Sequence, residues 1–257
     1  MRDQGLQEAI RAVGSVSELA RRLGISQPSV SNWERIPAER VLSVEAATGV
    51  GRDVLRPDLF NDEPLRAIDE TDRARAQEYA LLATLLGRAP DEDLLERLAR
   101  LRGDPSPLGM AHVALGAAAA RCDAEQVGRE FFNLFVGVGR GELLPYGSYY
   151  LTGFLYERPL ARLRNDLRRF GIEQVEGQSE PEDHAAILCE AMAAMAAGEI
   201  GVPDGTQREL FEKHMAPWMA RFFADLELAA GADFYRAVGA LGRTFMEIES
   251  EGFKLPS

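Results

Sequence analysis

Residues 179–192, SEPEDHAAILCEAM, bring carboxylates and an imidazole within reach of one another. Read as one helix, Glu180, Asp183 and His184 stand at i, i+3 and i+4 and share a face, and His184 opens an apolar stripe continued by Ile187, Leu188, Ala191 and Met195. A carboxylate and an imidazole at the edge of such a stripe can hold an arginine or a backbone amide of a docked peptide; they can equally form a buried structural pair. Ser179 and Glu182 fit a capping box, which places the helix start at Ser179 and offers a second reading of the acids as a dipole-matched first turn. A metal-assisted hydrolase is disfavoured. His112, His184 and His214 lack HExxH or equivalent spacing, and Cys122 and Cys189 lie 67 residues apart with no CxxC near them. No metal, no cofactor and no catalytic residue is expected.

A second segment, residues 131–150 (FFNLFVGVGRGELLPYGSYY), begins as a helix and becomes a loop with glycines at 137, 139 and 141. No strand precedes the glycines, so a dinucleotide fingerprint does not fit. The two lysines, Lys213 and Lys254, leave no GK[ST] step and so no P-loop. The glycines instead permit a sharp reversal leading Pro145 and Tyr146 into an aromatic cluster with Tyr149 and Tyr150. Such rings either fill the core or line a peptide groove, where they give large contact area at low entropy cost.

A third constellation lies near the N-terminus. Ala20, Gly24 and Val30 have the spacing of a helix-turn-helix: a small residue at the crossing, a glycine in the turn, an aliphatic anchor six residues on. Ser26 supplies an N-cap and Pro28 a first-turn proline, predicting a helix from Gln27 to about Arg35. Its polar face carries Gln27, Ser29, Ser31 and Asn32. Gln27 and Asn32 can read an adenine edge, and Ser29 and Arg35 can reach phosphates, while Trp33 belongs to the core.

The elements that must position these groups are helical throughout. Flanking helices are expected on Leu6, Ile10 and Val13, on Leu19, Ala20 and Leu23, and over Ala38–Thr48. Two prolines and five acids in residues 56–70 mark a linker, taken as 61–70 between domains at 1–60 and 71–257. Beyond it, starts at Thr71, Asp91, Asp123, Ser179 and Thr206 and stops at Gly87, Gly103, Gly171 and Gly198 predict an all-α bundle of about seven to nine helices. Residues 1–60 hold 8 arginines against 8 acids, so the whole net charge of −12 falls on residues 61–257, with 21 basic against 33 acidic groups. Only the first part suits DNA, and the acidic remainder favours a cationic partner. The N-terminus lacks signal-peptide features, and the longest apolar run, Leu108–Ala120, is too short to span a bilayer, so a cytoplasmic protein without membrane insertion is expected.

Two resemblances follow from these motifs. The stretch SELARRLGISQPSVSNWERIPAERVLSVEAATGVGRDVLRPDLF resembles Cro-like, YdaS-type helix-turn-helix domains. The FFNLFVGVGRGELLPYGSYYLTG loop, the EPEDH element and the KHMAPWMARFF segment, in that order, are similar to the TorD/DmsD group of redox-enzyme maturation chaperones over about residues 75–250. That resemblance implies an all-α fold, no catalysis, and binding of the twin-arginine leader of a molybdopterin oxidoreductase precursor. By position it implies leader contacts at Glu180, Pro181, Asp183 and His184, and at Pro145, Tyr146, Ser148 and Tyr149. The other reading is a transcription regulator whose helical bundle serves as a sensor or as a homodimer interface.

Overall fold

The computed structural model describes residues 3–57, 68–172 and 180–255. The chain divides into two compact units, residues 1–67 and 68–257. The described residues form fifteen α-helices and no strand, so the expected all-α class is borne out.

The first unit comprises α1 (Gln4–Val13), α2 (Val16–Leu23), α3 (Gln27–Ser31), α4 (Val41–Thr48) and α5 (Arg52–Leu55). Its starts follow from side-chain caps: Asp3 accepts the Leu6 amide, Ser15 the Glu18 amide and Ser26 the Ser29 amide. Gly24 ends α2 at φ 66°, a left-handed conformation open to glycine, and the chain turns directly into α3. Ala20 and Val30 are buried with Leu6, Leu19, Ile36, Val41, Val44 and Leu55 in one small core. The expected crossing is therefore built. The helix expected from Gln27 to about Arg35, however, stops at Ser31, because the chain turns inward to pack Trp33 and Ile36 on this core. The helix expected over Ala38–Thr48 opens as a 3₁₀ turn at Ala38–Arg40 before α4.

The second unit runs through α6 (Glu70–Gly87), α7 (Glu92–Leu98), α8 (Pro107–Ala119), α9 (Ala124–Phe131), α10 (Gly147–Thr152), α11 (Arg158–Phe170), α12 (Ala185–Ala196), α13 (Thr206–Leu210), α14 (Met219–Leu228) and α15 (Phe234–Gly252). α6 packs along α12, α14 pairs with α15, and α15 also lies on α8. Tyr79, Leu82 and Leu86 of α6 and Phe234, Val238, Leu241 and Phe245 of α15 are buried in the common core, as their helical spacing requires. Asp91 and Asp123 cap α7 and α9 as read, the latter in a reciprocal box with Gln126. Buried charge is paired: Glu249 accepts both Arg75 (2.8 Å) and the Tyr79 hydroxyl (2.7 Å).

Among the described residues ten helices stand where seven to nine were expected. The extra elements come from interruptions that helical periodicity does not reveal. α9 continues into a π turn at Phe132–Val136, α13 into another at Phe211–Met215, and α10 forms inside the segment read as loop. Residues 61–67 of the expected linker lie outside the described residues, and α6 begins at Glu70, capped by Asp69.

Candidate functional site

The π turn after α9 throws the chain into the glycine run. Gly137 at φ 63° donates to the Phe132 carbonyl at 2.6 Å, and a Cβ on Gly137 or Gly141 would stand 2.1 Å or 2.6 Å from backbone oxygens across the loop. The reversal closes with Glu142 donating to Asn133 and Leu143 to Leu134. It delivers Pro145 to Ser148 alongside residues 181–185. The Gly147 amide donates to the Asp183 carbonyl (2.9 Å) and the Ala185 amide to the Pro145 carbonyl (2.8 Å), an antiparallel bridge centred on Tyr146 and His184.

This pairing corrects the helix reading of the EPEDH element. Ser179 lies outside the described residues; α12 begins at Ala185, and residues 180–184 form a turn closed by the His184 amide on the Pro181 carbonyl (3.0 Å). The Asp183 carbonyl and the Ala185 amide are occupied by the 145–147 segment and so are lost to helical bonding. Glu180, Asp183 and His184 therefore do not share a helix face. Glu182 is occupied by Arg164, whose Nε donates to it at 2.8 Å.

Each side chain in the turn has a distinct job. The Asp183 carboxylate is buried, and its Oδ2 accepts the Ser148 amide at 2.7 Å, capping α10 from 35 residues away. Its Oδ1, and the hydroxyl of the equally buried Ser148, have no hydrogen-bond partner. His184 caps α12, its Nδ1 accepting the Ala186 amide at 3.1 Å. That bond requires an unprotonated Nδ1 and puts the ring proton on Nε2. Burial lowers the His184 pKa against the opposing pull of Glu180 and Asp183, so the neutral ring is favoured. The ring meets Tyr146 edge to face, centroids 5.0 Å apart.

Glu180 is exposed and accepts the Tyr146 hydroxyl at 2.6 Å. Burial, reinforced by that carboxylate, drives the Tyr146 pKa upward, which keeps the phenol protonated as a donor. Pro145 and Pro181 are buried beneath the bridge. Of the eight residues implied as leader contacts, seven gather around this bridge. Tyr149 turns instead to Arg140, which donates to its hydroxyl at 2.7 Å and lies over its ring.

Sequence reading missed the support below. Gly147 passes so close to Trp218 that a Cβ would lie 3.0 Å from the indole Nε1. That nitrogen donates to the His214 carbonyl at 2.7 Å, and the ring packs on Tyr150 at 5.5 Å. His214 belongs to the second π turn and is itself bonded to Asp166 of α11 at 2.8 Å. The usable signal was the PYGSYY glycine, a small residue between aromatics.

In the first unit, Gln27, Ser29 and Asn32 are exposed and Ser31 is half-buried. Gln27 donates to Ser31 (2.9 Å), and the hydroxyls of Ser26 and Ser29 are 2.7 Å apart. Arg35 falls beyond the shortened helix and pairs with Asp3 at 3.4 Å. Arg21 and Arg22 both bind Glu18, whose pKa they lower to about 2. No group of three or more His, Cys, Asp or Glu able to hold a metal ion occurs among the described residues, and no helix there is long and apolar enough to cross a membrane.

Two families match different parts of the chain: the nitrate reductase delta subunit family over residues 101–224 and the bacterial toxin YdaS family over residues 6–64. The chaperone protein TorD of Vibrio cholerae is 24% identical over 192 residues, 71% of this chain and 83% of its own. The Tat proofreading chaperone DmsD of Salmonella paratyphi A is 32% identical over 124 residues, 46% of this chain and 58% of its own. A solved redox enzyme maturation protein from Archaeoglobus fulgidus aligns with 67% of this chain and 93% of its own at 22% identity, with a TM-score of 0.45. Both resemblances read from the motifs are thereby borne out.

Proposed function

We propose that this chain, a relative of the TorD and DmsD chaperones that carries a YdaS-like helix-turn-helix unit, binds the twin-arginine leader of a molybdopterin oxidoreductase precursor in the cytoplasm and assists its maturation without catalysing a reaction. The observation that carries this reading is the bridge itself. Two motifs 35 residues apart are joined backbone to backbone, so that the exposed Glu180 and the half-buried Tyr146 form one acidic and aromatic edge. A guanidinium finds there a carboxylate acceptor, in a chain of net charge −12 that draws cations toward it. Pro145, Pro181, Asp183, Ser148 and His184 act from beneath, by fixing the edge.

Calorimetric titration of the full chain with a synthetic twin-arginine leader tests the reading. Affinity at least tenfold above that for a scrambled peptide of equal charge is expected, and equal affinity for the two would overturn it.

A second reading is favoured by the first unit. Its crossing, turn and anchor are those of a DNA-reading helix pair, with Gln27, Ser29 and Asn32 outward. On this reading the chain also regulates transcription, with the helical bundle as a sensor or homodimer interface. Gln27→Ala or Asn32→Ala would then cost roughly 1 to 3 kcal/mol on a specific site and little on random DNA.

A further inference from the structure

Exposed apolar side chains are concentrated in the stretch of chain that carries the edge. Half of the large ones among the described residues fall within residues 132–156, the segment that passes through Tyr146. Its sharpest part is the turn that follows α10. Phe154 and Tyr156 are 69% and 71% exposed.

The turn is held in place. Gly153 ends α10 at φ 84°, and the Thr152 hydroxyl donates to the Ser148 carbonyl (2.8 Å) while accepting the Phe154 amide (3.2 Å). Ser148 is in turn held by Asp183. Tyr156 is the one non-glycine residue among those described with positive φ, 61°. A bulky residue in that conformation is an outlier, and it aims the ring outward. The turn is also continuous with the edge, since it ends the helix α10 that starts directly after Tyr146 and is held to Asp183 at Ser148.

We propose that the turn Gly153–Tyr156 is the wall that receives the apolar residues of a bound leader, and that Phe154 and Tyr156 select among leaders. This inference rests on the leader-binding reading above. Charge and continuity name the occupant: the Glu180 carboxylate at the Tyr146 hydroxyl suits a cation, and α10 leads from Tyr146 to the exposed rings of Phe154 and Tyr156. An extended peptide covers about 3.3 Å per residue, so one segment with arginines next to apolar residues reaches both. Aromatic rings of limited rotamer freedom suit such a wall, since little entropy is lost when they are covered.

The test uses the full chain and two synthetic peptides, each with paired arginines, one followed by six leucine and alanine residues and the other by six serines. Wild-type protein should prefer the apolar peptide by tenfold or more. Phe154→Ser and Tyr156→Gly, the latter placing glycine where φ is positive, should remove most of that preference and leave the serine peptide's affinity within twofold. Variants that keep the full preference would overturn the inference while the leader reading stands. Wild-type protein that binds neither peptide better than a scramble of equal charge would overturn the leader reading, and the wall with it. Sedimentation run alongside covers the remaining occupant: a wild-type dimer that the same substitutions turn into monomer, with peptide binding unchanged, would make the patch a self-contact and overturn the proposal.

Discussion

At Asp183 one carboxylate oxygen caps α10 and the other is buried without a partner, so the side chain contributes as an acceptor fixed inside the site. Removing the acceptor orphans the buried Ser148 amide, which costs about 1 to 3 kcal/mol. Asp183→Ala should therefore lower the melting temperature by roughly 3 to 9 °C. Asp183→Asn, which keeps an oxygen for the amide, should melt close to wild type. If Asp183 acts only through the backbone it holds, the Asn variant also keeps leader affinity within about twofold while the Ala variant loses it. Equal loss in both variants would mean that the charge itself meets the peptide. His184 makes a pH-dependent contribution of definite sign. Its folded pKa is depressed by burial, so the unfolded chain binds more protons; the stability is full above the unfolded value of about 6.5 and is lost as pH falls toward the folded pKa. His112 works in the opposite direction, its pKa raised by hydrogen bonding to Glu78. The wild type alone would mix the two. Melts of His184→Asn, which retains a good N-cap, isolate the term: the gap between wild type and variant should narrow as pH drops below about 6.5, and a constant gap would refute it.

Among the elements, those with local signals were legible and those made by distant partners were not. Asp91 and Asp123 announce α7 and α9 because the cap lies three residues from the amide it serves. The Ala20–Gly24–Val30 crossing was readable for the same reason. α10 was not, because its cap arrives from Asp183, and neither was the start of α12, since the backbone bonds that displaced it from Ser179 run to residues 145–147. The two π turns leave no periodic mark either, yet one launches the glycine loop and the other frees the His214 carbonyl for Trp218. Gly147 is where these elements meet. Gly147→Ala would press a methyl to 3.0 Å from a fully buried indole, and overpacking of this kind costs about 1 to 3 kcal/mol. Denaturant melts should show that loss. A larger fractional loss of leader affinity than of stability would show that the α10 and α14 contact sets the edge, whereas unchanged stability would show that Trp218 can yield.

Across the whole molecule, charge separates the two units as sharply as packing does. Each has its own buried core, and the excess of acid lies beyond the first unit. This division was legible because charge is counted along the chain, while the pairing of individual charges was not. A neutral helix-turn-helix unit is an unusual DNA binder, since affinity comes mainly from counterion release by cations on phosphates. The structure supplies a reason for the neutrality. Glu18 holds both Arg21 and Arg22 on α2, the helix that precedes α3; in DNA-reading helix pairs the first helix crosses the phosphate backbone. If the unit binds DNA, Glu18 is therefore a brake on phosphate contact. Glu18→Gln would detach two guanidinium groups from the carboxylate, Arg22 keeping its bond to the Ala47 carbonyl (2.9 Å), without disturbing the Ser15 cap, which acts through the Glu18 backbone amide. Nonspecific DNA affinity should then rise at low salt, and the slope of log affinity against log salt should steepen by up to about 2, near 0.9 for each phosphate gained. On the DNA-binding reading, in which Gln27 and Asn32 carry the sequence preference, that preference should not change. Fluorescence anisotropy on a random duplex over a salt series measures the slope directly, and an unchanged slope in the variant would mean that α2 does not face DNA.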